Sequence, residues 1–401
     1  MRKELKLLIV FFLVSININA QEKISANQGY VENNKYFNEI PYEDKNGKII
    51  INVQIENKSY RFLLDTGAAT AISEKLQNSI KLHKLGNIKM TDQSGLTDSL
   101  EVVSVPEINI DGIKFKDIPA FIAKSDSDII FSCLEIDGII GSNLLRNSTI
   151  QFRPEESKII LTDKSKNLGL KKRNAVQMIV TQNQSSPIIP IKLIKDNQVG
   201  NEYVLFDTGD KDFYVSSNRS YTQLQSQVNI YDILAKSIGT FSVGFFGTAD
   251  ENEHFLLKIP NLKIGNIDFQ NVITKTTYNE NSRIGSDLLK YGNITLDYKK
   301  KRFWFEGFQK SKTIELTEKP WPIEPVLNNQ NEIVVGIIWD ESIIEKINVG
   351  DKILKFGNIN YEAMNHCEIM NSTSKIENSE AILIYQDKNT RAIKELKLNR
   401  M

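Results

Sequence analysis

Cysteine and histidine are scarce in this chain. Among 401 residues only Cys133, Cys367, His83, His254 and His366 belong to either type. Two cysteines cannot frame a small disulfide-stapled fold. They lie in stretches that read as different domains; a bridge between them is possible, but two free or buried thiols are expected. The histidines keep no ligand spacing with one another or with the cysteines, and no structural metal is expected. Net charge is absent too, since 50 Lys and Arg meet 50 Asp and Glu. No global field draws the chain toward nucleic acid or a membrane surface. Long apolar runs are the third absence. The strongest, residues 7–14, is far shorter than the roughly 20 residues that span a bilayer. It follows a basic start at Arg2 and Lys3, and Ala20 precedes Gln21. Together these read as a secretory signal peptide over residues 1–20. The mature chain is therefore expected to be exported, periplasmic or secreted, and without a membrane span.

What is present comes in duplicate. Asp-Thr-Gly occurs at Asp65-Thr66-Gly67 and again at Asp207-Thr208-Gly209, each after an apolar run, Phe62-Leu63-Leu64 and Val204-Leu205-Phe206. An apolar run reads as a buried strand, and the triplet as the tight turn that ends it. One such triplet suits an ordinary turn. Two in matching contexts carry more weight. Downstream of the first stands Ile139-Ile140-Gly141-Ser142-Asn143-Leu144-Leu145, and of the second Ile284-Gly285-Ser286-Asp287-Leu288-Leu289. A hairpin-like pair of strands follows each, at 149–152 with 159–161 and at 294–297 with 303–305. Between triplet and Ile-Gly lies a third echo, residues 110–115 against 264–269, at unequal spacing in the two copies. The order of elements repeats, which indicates a duplicated β-rich unit. Two carboxylates brought together could share one proton, one acting as base on a water and the other as acid.

These elements resemble those of aspartic proteases of the pepsin and retropepsin type, most closely the bacterial aspartyl protease proteins with retropepsin-like halves. The resemblance covers roughly residues 39–310. It implies an all-β, bilobal fold after a lead-in at 21–38, with lobe 1 at 39–165 and lobe 2 at 166–310. It makes Asp65 and Asp207 the catalytic pair. Thr66 and Thr208 would cross-brace the two turns, and Gly67 and Gly209 would let them approach. The turn around Gly95 would be a flap over the substrate, with residues 239–247 as its counterpart; either stretch could equally be a plain hairpin or a bulged strand. No cofactor is implied, and both halves on one chain imply a monomer. The chain departs from the family at Asp210, where a small residue is usual. A third carboxylate there is expected to raise the apparent pKa of the pair, unless Asp210 caps its turn or pairs with Lys211 and points away.

Beyond residue 310 the texture changes. A strand at 333–339, a short helix candidate at 342–346 and Val349-Gly350-Asp351-Lys352-Ile353-Leu354 resemble a PDZ domain, a small α+β module, over 315–401. That likeness implies a site for a C-terminal peptide added along a strand, although the glycine-rich loop expected before the binding strand is not evident in 326–332. The functional expectation is an exported aspartic endopeptidase acting on a peptide or protein substrate. The alternative is a non-catalytic peptide-binding protein on a degenerate protease fold, which Asp210 would favour.

Overall fold

The computed structural model describes residues 24–91, 95–123, 128–241, 243–244, 247–372 and 376–401. The expected leader at 1–20 lies outside them. Strands dominate, because the apolar residues recur at period two. In Lys48–Ile55 the side chains of Ile51, Val53 and Ile55 are buried while those of Asn52 and Gln54 are exposed. Among the described residues no helix is long and apolar enough to cross a membrane.

Two nine-stranded sheets carry the two repeats. In the first, Lys58–Asp65 runs between Lys48–Ile55, antiparallel, and Gly138–Gly141, parallel. In the second, Gln198–Asp207 runs between Pro187–Lys195, antiparallel, and Arg283–Gly285, parallel. The register is the same in both: Asp65 lies opposite Gly141, and Asp207 opposite Gly285. The second sheet takes a further strand at Thr313–Glu315, beyond the range read for that unit from the sequence.

The hairpins that follow each Ile-Gly element meet in a six-stranded sheet shared by both repeats. Thr149–Arg153 pairs antiparallel with Gly292–Asp297, from Thr149 opposite Asp297 to Phe152 opposite Ile294. One apolar core runs through it. Phe206 packs at 6.2 Å from Phe152 and 6.1 Å from Phe303, ring centre to ring centre. Core and shared sheet fix the two Asp-bearing strands relative to each other.

The C-terminal stretch forms its own six-stranded sheet over its own apolar cluster, with Val335, Ile353, Leu383 and Tyr385 inside. The strand Ile333–Ile338 lies within this sheet, flanked by Ile323–Leu327 and Lys352–Phe356. On the Lys352–Phe356 side a single residue pair is in register, Val334 opposite Lys352. One edge of the sheet is Ile323–Leu327, where Pro325 removes one N–H donor, and the other is Ile393–Asn399. The helix expected at 342–346 is a single 3-10 turn, Glu341–Ile343.

The cysteines correct the expectation of free thiols: Cys133 and Cys367 form a disulfide across 234 residues of sequence. The cause is docking. The helix Asp128–Leu134 of the first repeat packs against the helix His366–Asn371 of the C-terminal unit, with Met370 on the cluster that holds Phe131. Lys45 and Asn371 both donate to the Cys133 carbonyl, at 3.0 and 2.6 Å. Assigning the cysteines to separate units concealed that the units touch.

Candidate active site

Each Asp-Thr-Gly follows a strand end buried on both faces, Phe62–Leu64 and Val204–Phe206, and the turn that follows points its polar groups at the other turn. Thr66 and Thr208 are fully buried. The Thr66 N–H donates to Thr208 Oγ1 and the Thr208 N–H to Thr66 Oγ1, both at 3.1 Å. Each hydroxyl then donates across the junction, Thr66 to the Phe206 carbonyl at 2.7 Å and Thr208 to the Leu64 carbonyl at 2.8 Å. The N–H and the hydroxyl of each threonine thus have partners, as burial requires.

This brace brings the carboxyl groups together. A Cβ on Gly67 would overlap the carboxyl group of Asp207, and a Cβ on Gly209 would overlap that of Asp65. Each carboxyl group thus sits over the glycine of the opposite turn. Asp65 Oδ1 accepts from the N–H groups of Gly67 and Ala68, at 2.8 and 3.0 Å. Asp207 Oδ1 accepts from Gly209 N–H at 2.9 Å. The Asp65 carboxyl is pushed well above the usual carboxylate range, first by burial and then by the charge of Asp207 and the hydrogen bond between the two groups. Lys48 and the Gly67 N–H oppose the shift. A pair that holds one proton is what such a site favours.

Asp210 stands beside this pair and also caps its own turn, accepting from Asp212 N–H at 2.9 Å. The two alternatives left open by the sequence are not exclusive. Its cation is Arg283, whose Nη1 lies 3.6 Å from Asp210 Oδ2 and whose Nε lies 3.8 Å from Asp207 Oδ2. The Asp210 carboxyl is raised by burial, then by Asp212 and Asp207, with Arg283 and the Asp212 N–H pulling it down. Gly95 has φ +82° and open space around it, at the end of a hairpin that pairs Thr91 with Thr97. Residues 92–94 lie outside the described residues. In the other repeat Gly239 ends the strand Asp232–Gly239, and Val243–Gly244 pairs with Gly247–Thr248 in a small ribbon.

Several contributors escaped the sequence reading. Ser142 donates to the Thr66 carbonyl at 2.7 Å and lies 2.8 Å from the buried Tyr298 hydroxyl. Lys48 Nζ donates to the Gly209 carbonyl, and Gln184 Nε2 to the Gly67 carbonyl at 2.8 Å. Arg283 is the one with a signal: it occupies, just before Ile-Gly, the position that Ile139 holds in the first repeat. Among the described residues, one group of metal-type donors stands close together, Cys133, His366 and Cys367, within 4.8 Å. Both sulfurs are bonded to each other, which leaves a single imidazole and no metal site.

A family model described as aspartyl protease matches residues 51–144, the stretch that holds Asp65 and Ile140-Gly141. Among solved structures, a retropepsin-like aspartic protease from Rickettsia conorii is similar at 20% identity over 32% of this chain and 93% of that one, with a TM-score of 0.24. An aspartic proteinase from Irpex lacteus is similar at 11% identity over 69% of this chain and 99% of that one, with a TM-score of 0.37. At these scores neither likeness carries weight beyond the geometry above. No curated protein matches the chain.

Proposed function

We propose that the chain is an aspartic endopeptidase, with Asp65 and Asp207 as the groups that activate water. The observation that carries this is the crossed placement of the two carboxyl groups, each over the glycine of the other's turn. The protease model over residues 51–144 supports the same chemistry. One carboxyl of the pair is ionised and the other protonated. The ionised member takes a proton as the water oxygen attacks the peptide carbonyl carbon, and the protonated member gives its proton to the developing oxyanion. Collapse of the resulting diol, with a proton passed to the amide nitrogen, breaks the C–N bond. None of these steps calls for a cofactor.

Asp210 was the feature that favoured a non-catalytic binding protein. Its charge is met by Arg283, so it gives that alternative no further support. Export is part of the proposal, supported by the basic and apolar N-terminus and by the Cys133–Cys367 bond, which suits an oxidising compartment.

The test is cleavage of a mixed peptide library, with and without pepstatin, by the intact chain and by Asp65→Asn and Asp207→Asn. Inhibitable cleavage lost in both variants, each still folded by circular dichroism, is the expected result. Full activity in either variant would rule out a shared pair.

A further inference from the structure

The two halves of the site differ in charge, and the difference is paired. In the first repeat Ala68 follows the triplet and Ile139 precedes Ile-Gly. In the second the same places hold Asp210 and Arg283. Ile139 lies opposite Leu63, and Arg283 opposite Leu205, so the two sites are equivalent in register. A carboxylate and a guanidinium stand together on one side only.

We propose that Arg283 decides which member of the pair is ionised, holding Asp207 as the carboxylate that takes the proton from water and leaving the shared proton on Asp65. This rests on the hydrolytic reading and assigns the two roles that reading leaves open. Arg283 is 13% exposed in its side chain and lies between two carboxyl groups, 3.8 Å from Asp207 and 3.6 Å from Asp210. A guanidinium keeps its charge at every pH at which the chain folds, and its fork can serve two acids at once. Its backbone is held in place: Arg283 N–H donates to the Val215 carbonyl at 2.9 Å, and Val215 N–H to the Arg283 carbonyl at 3.0 Å. The cation that acts on Asp65 is differently used, since Lys48 Nζ donates to the Gly209 carbonyl. Among the described residues, the groups that face the pair are Lys48 and Tyr298 on the Asp65 side, and Arg283, Asp210 and, through Asp210, Asp212 and Lys275 on the Asp207 side. The upward push on Asp65 agrees with a proton resting there.

A purely structural role, bracing the turn through Asp210 alone, makes a different prediction. The decisive pair of variants is Asp210→Asn and Asp210→Asn/Arg283→Met, which differ only in the guanidinium and leave no unpaired acid at 210. The readout is the pH profile of kcat/KM on a peptide that the intact chain cleaves. Loss of Arg283 removes the cation that favours the singly ionised pair, so the acidic limb of the double variant should lie at least about one pH unit above that of the single variant, a tenfold loss on that limb. Arg283→Lys, with Asp210 kept, should hold its limb near that of the intact chain. Coincident limbs in the Asp210→Asn pair would overturn the assignment, as would an Arg283→Lys limb displaced from that of the intact chain as far as the double variant's limb is from the single variant's. Should the double variant not fold, Arg283→Lys against Arg283→Gln decides by the same criterion. Absence of cleavage by the intact chain removes the hydrolytic reading together with this one; cleavage with unmoved limbs removes this one alone.

Discussion

Thr66 and Thr208 each give a backbone N–H to the other's hydroxyl oxygen, at 3.1 Å in both directions. The symmetry means that either side chain serves as acceptor for one turn and as donor to the strand beneath it. Replacing Thr by Val keeps the shape and removes both functions. A buried N–H and a buried carbonyl then lose their partner, at a cost of roughly 1–3 kcal/mol for such groups. Thr66→Val and Thr208→Val should each lower stability by that order in denaturant unfolding. The double variant should cost less than the sum, because both substitutions break the same network. Additive losses would mean that the two turns are not coupled.

Gly67 and Gly209 should be intolerant for a reason unrelated to backbone freedom, since the space a Cβ would need is filled by the opposing carboxyl group. Gly67→Ala should displace Asp207, and Gly209→Ala should displace Asp65. A shift of about 1 Å at a reacting group can cost on the order of 100-fold in rate. Gly112→Ala is the control: Gly112 has φ +83° with nothing within 4 Å, so its substitution strains a turn and spares the site. Peptide cleavage by the three variants checks this. Equal activities would place the carboxyl groups elsewhere.

The strands, the repeat and both turns were readable because each rests on local pattern: period-two burial, an apolar run ending in Asp-Thr-Gly, and its return at Ile-Gly. Interactions set by docking were not readable. Nothing in the spacing of Cys133 and Cys367 places two helices side by side. The strand at Ile333–Ile338 shows its apolar run but not the strands that flank it. Arg283 stood in view as a charge in an apolar position, and only aligning the repeats against each other brings it out.

The Cys133–Cys367 bond ties the C-terminal unit to the first repeat, while a separate contact ties it to the second. There Thr240 N–H donates to the Gly336 carbonyl at 2.9 Å, and the two backbones approach so closely that Gly239 and Gly336 leave no room for a Cβ on either side. Gly336 is the bulged residue between Ile323–Leu327 and Ile333–Ile338, which frees its carbonyl for this use. Lys275 pairs with Glu324 at 3.2 Å, and Leu256 packs with Ile337 and Trp339. The unit therefore spans both repeats, and only one of its two anchors is covalent. Closing a loop of 234 residues removes unfolded-state entropy worth up to about 5 kcal/mol on the chain-entropy account. Calorimetry should show one cooperative transition in the intact chain. With reductant, or in Cys133→Ser/Cys367→Ser, the C-terminal unit should melt first and separately, since its own cluster is the smaller. Reductant should leave the double variant unchanged. Two titratable thiols in the unreduced, denatured protein, or a melting curve indifferent to reductant, would show that the bond does not hold the unit in solution.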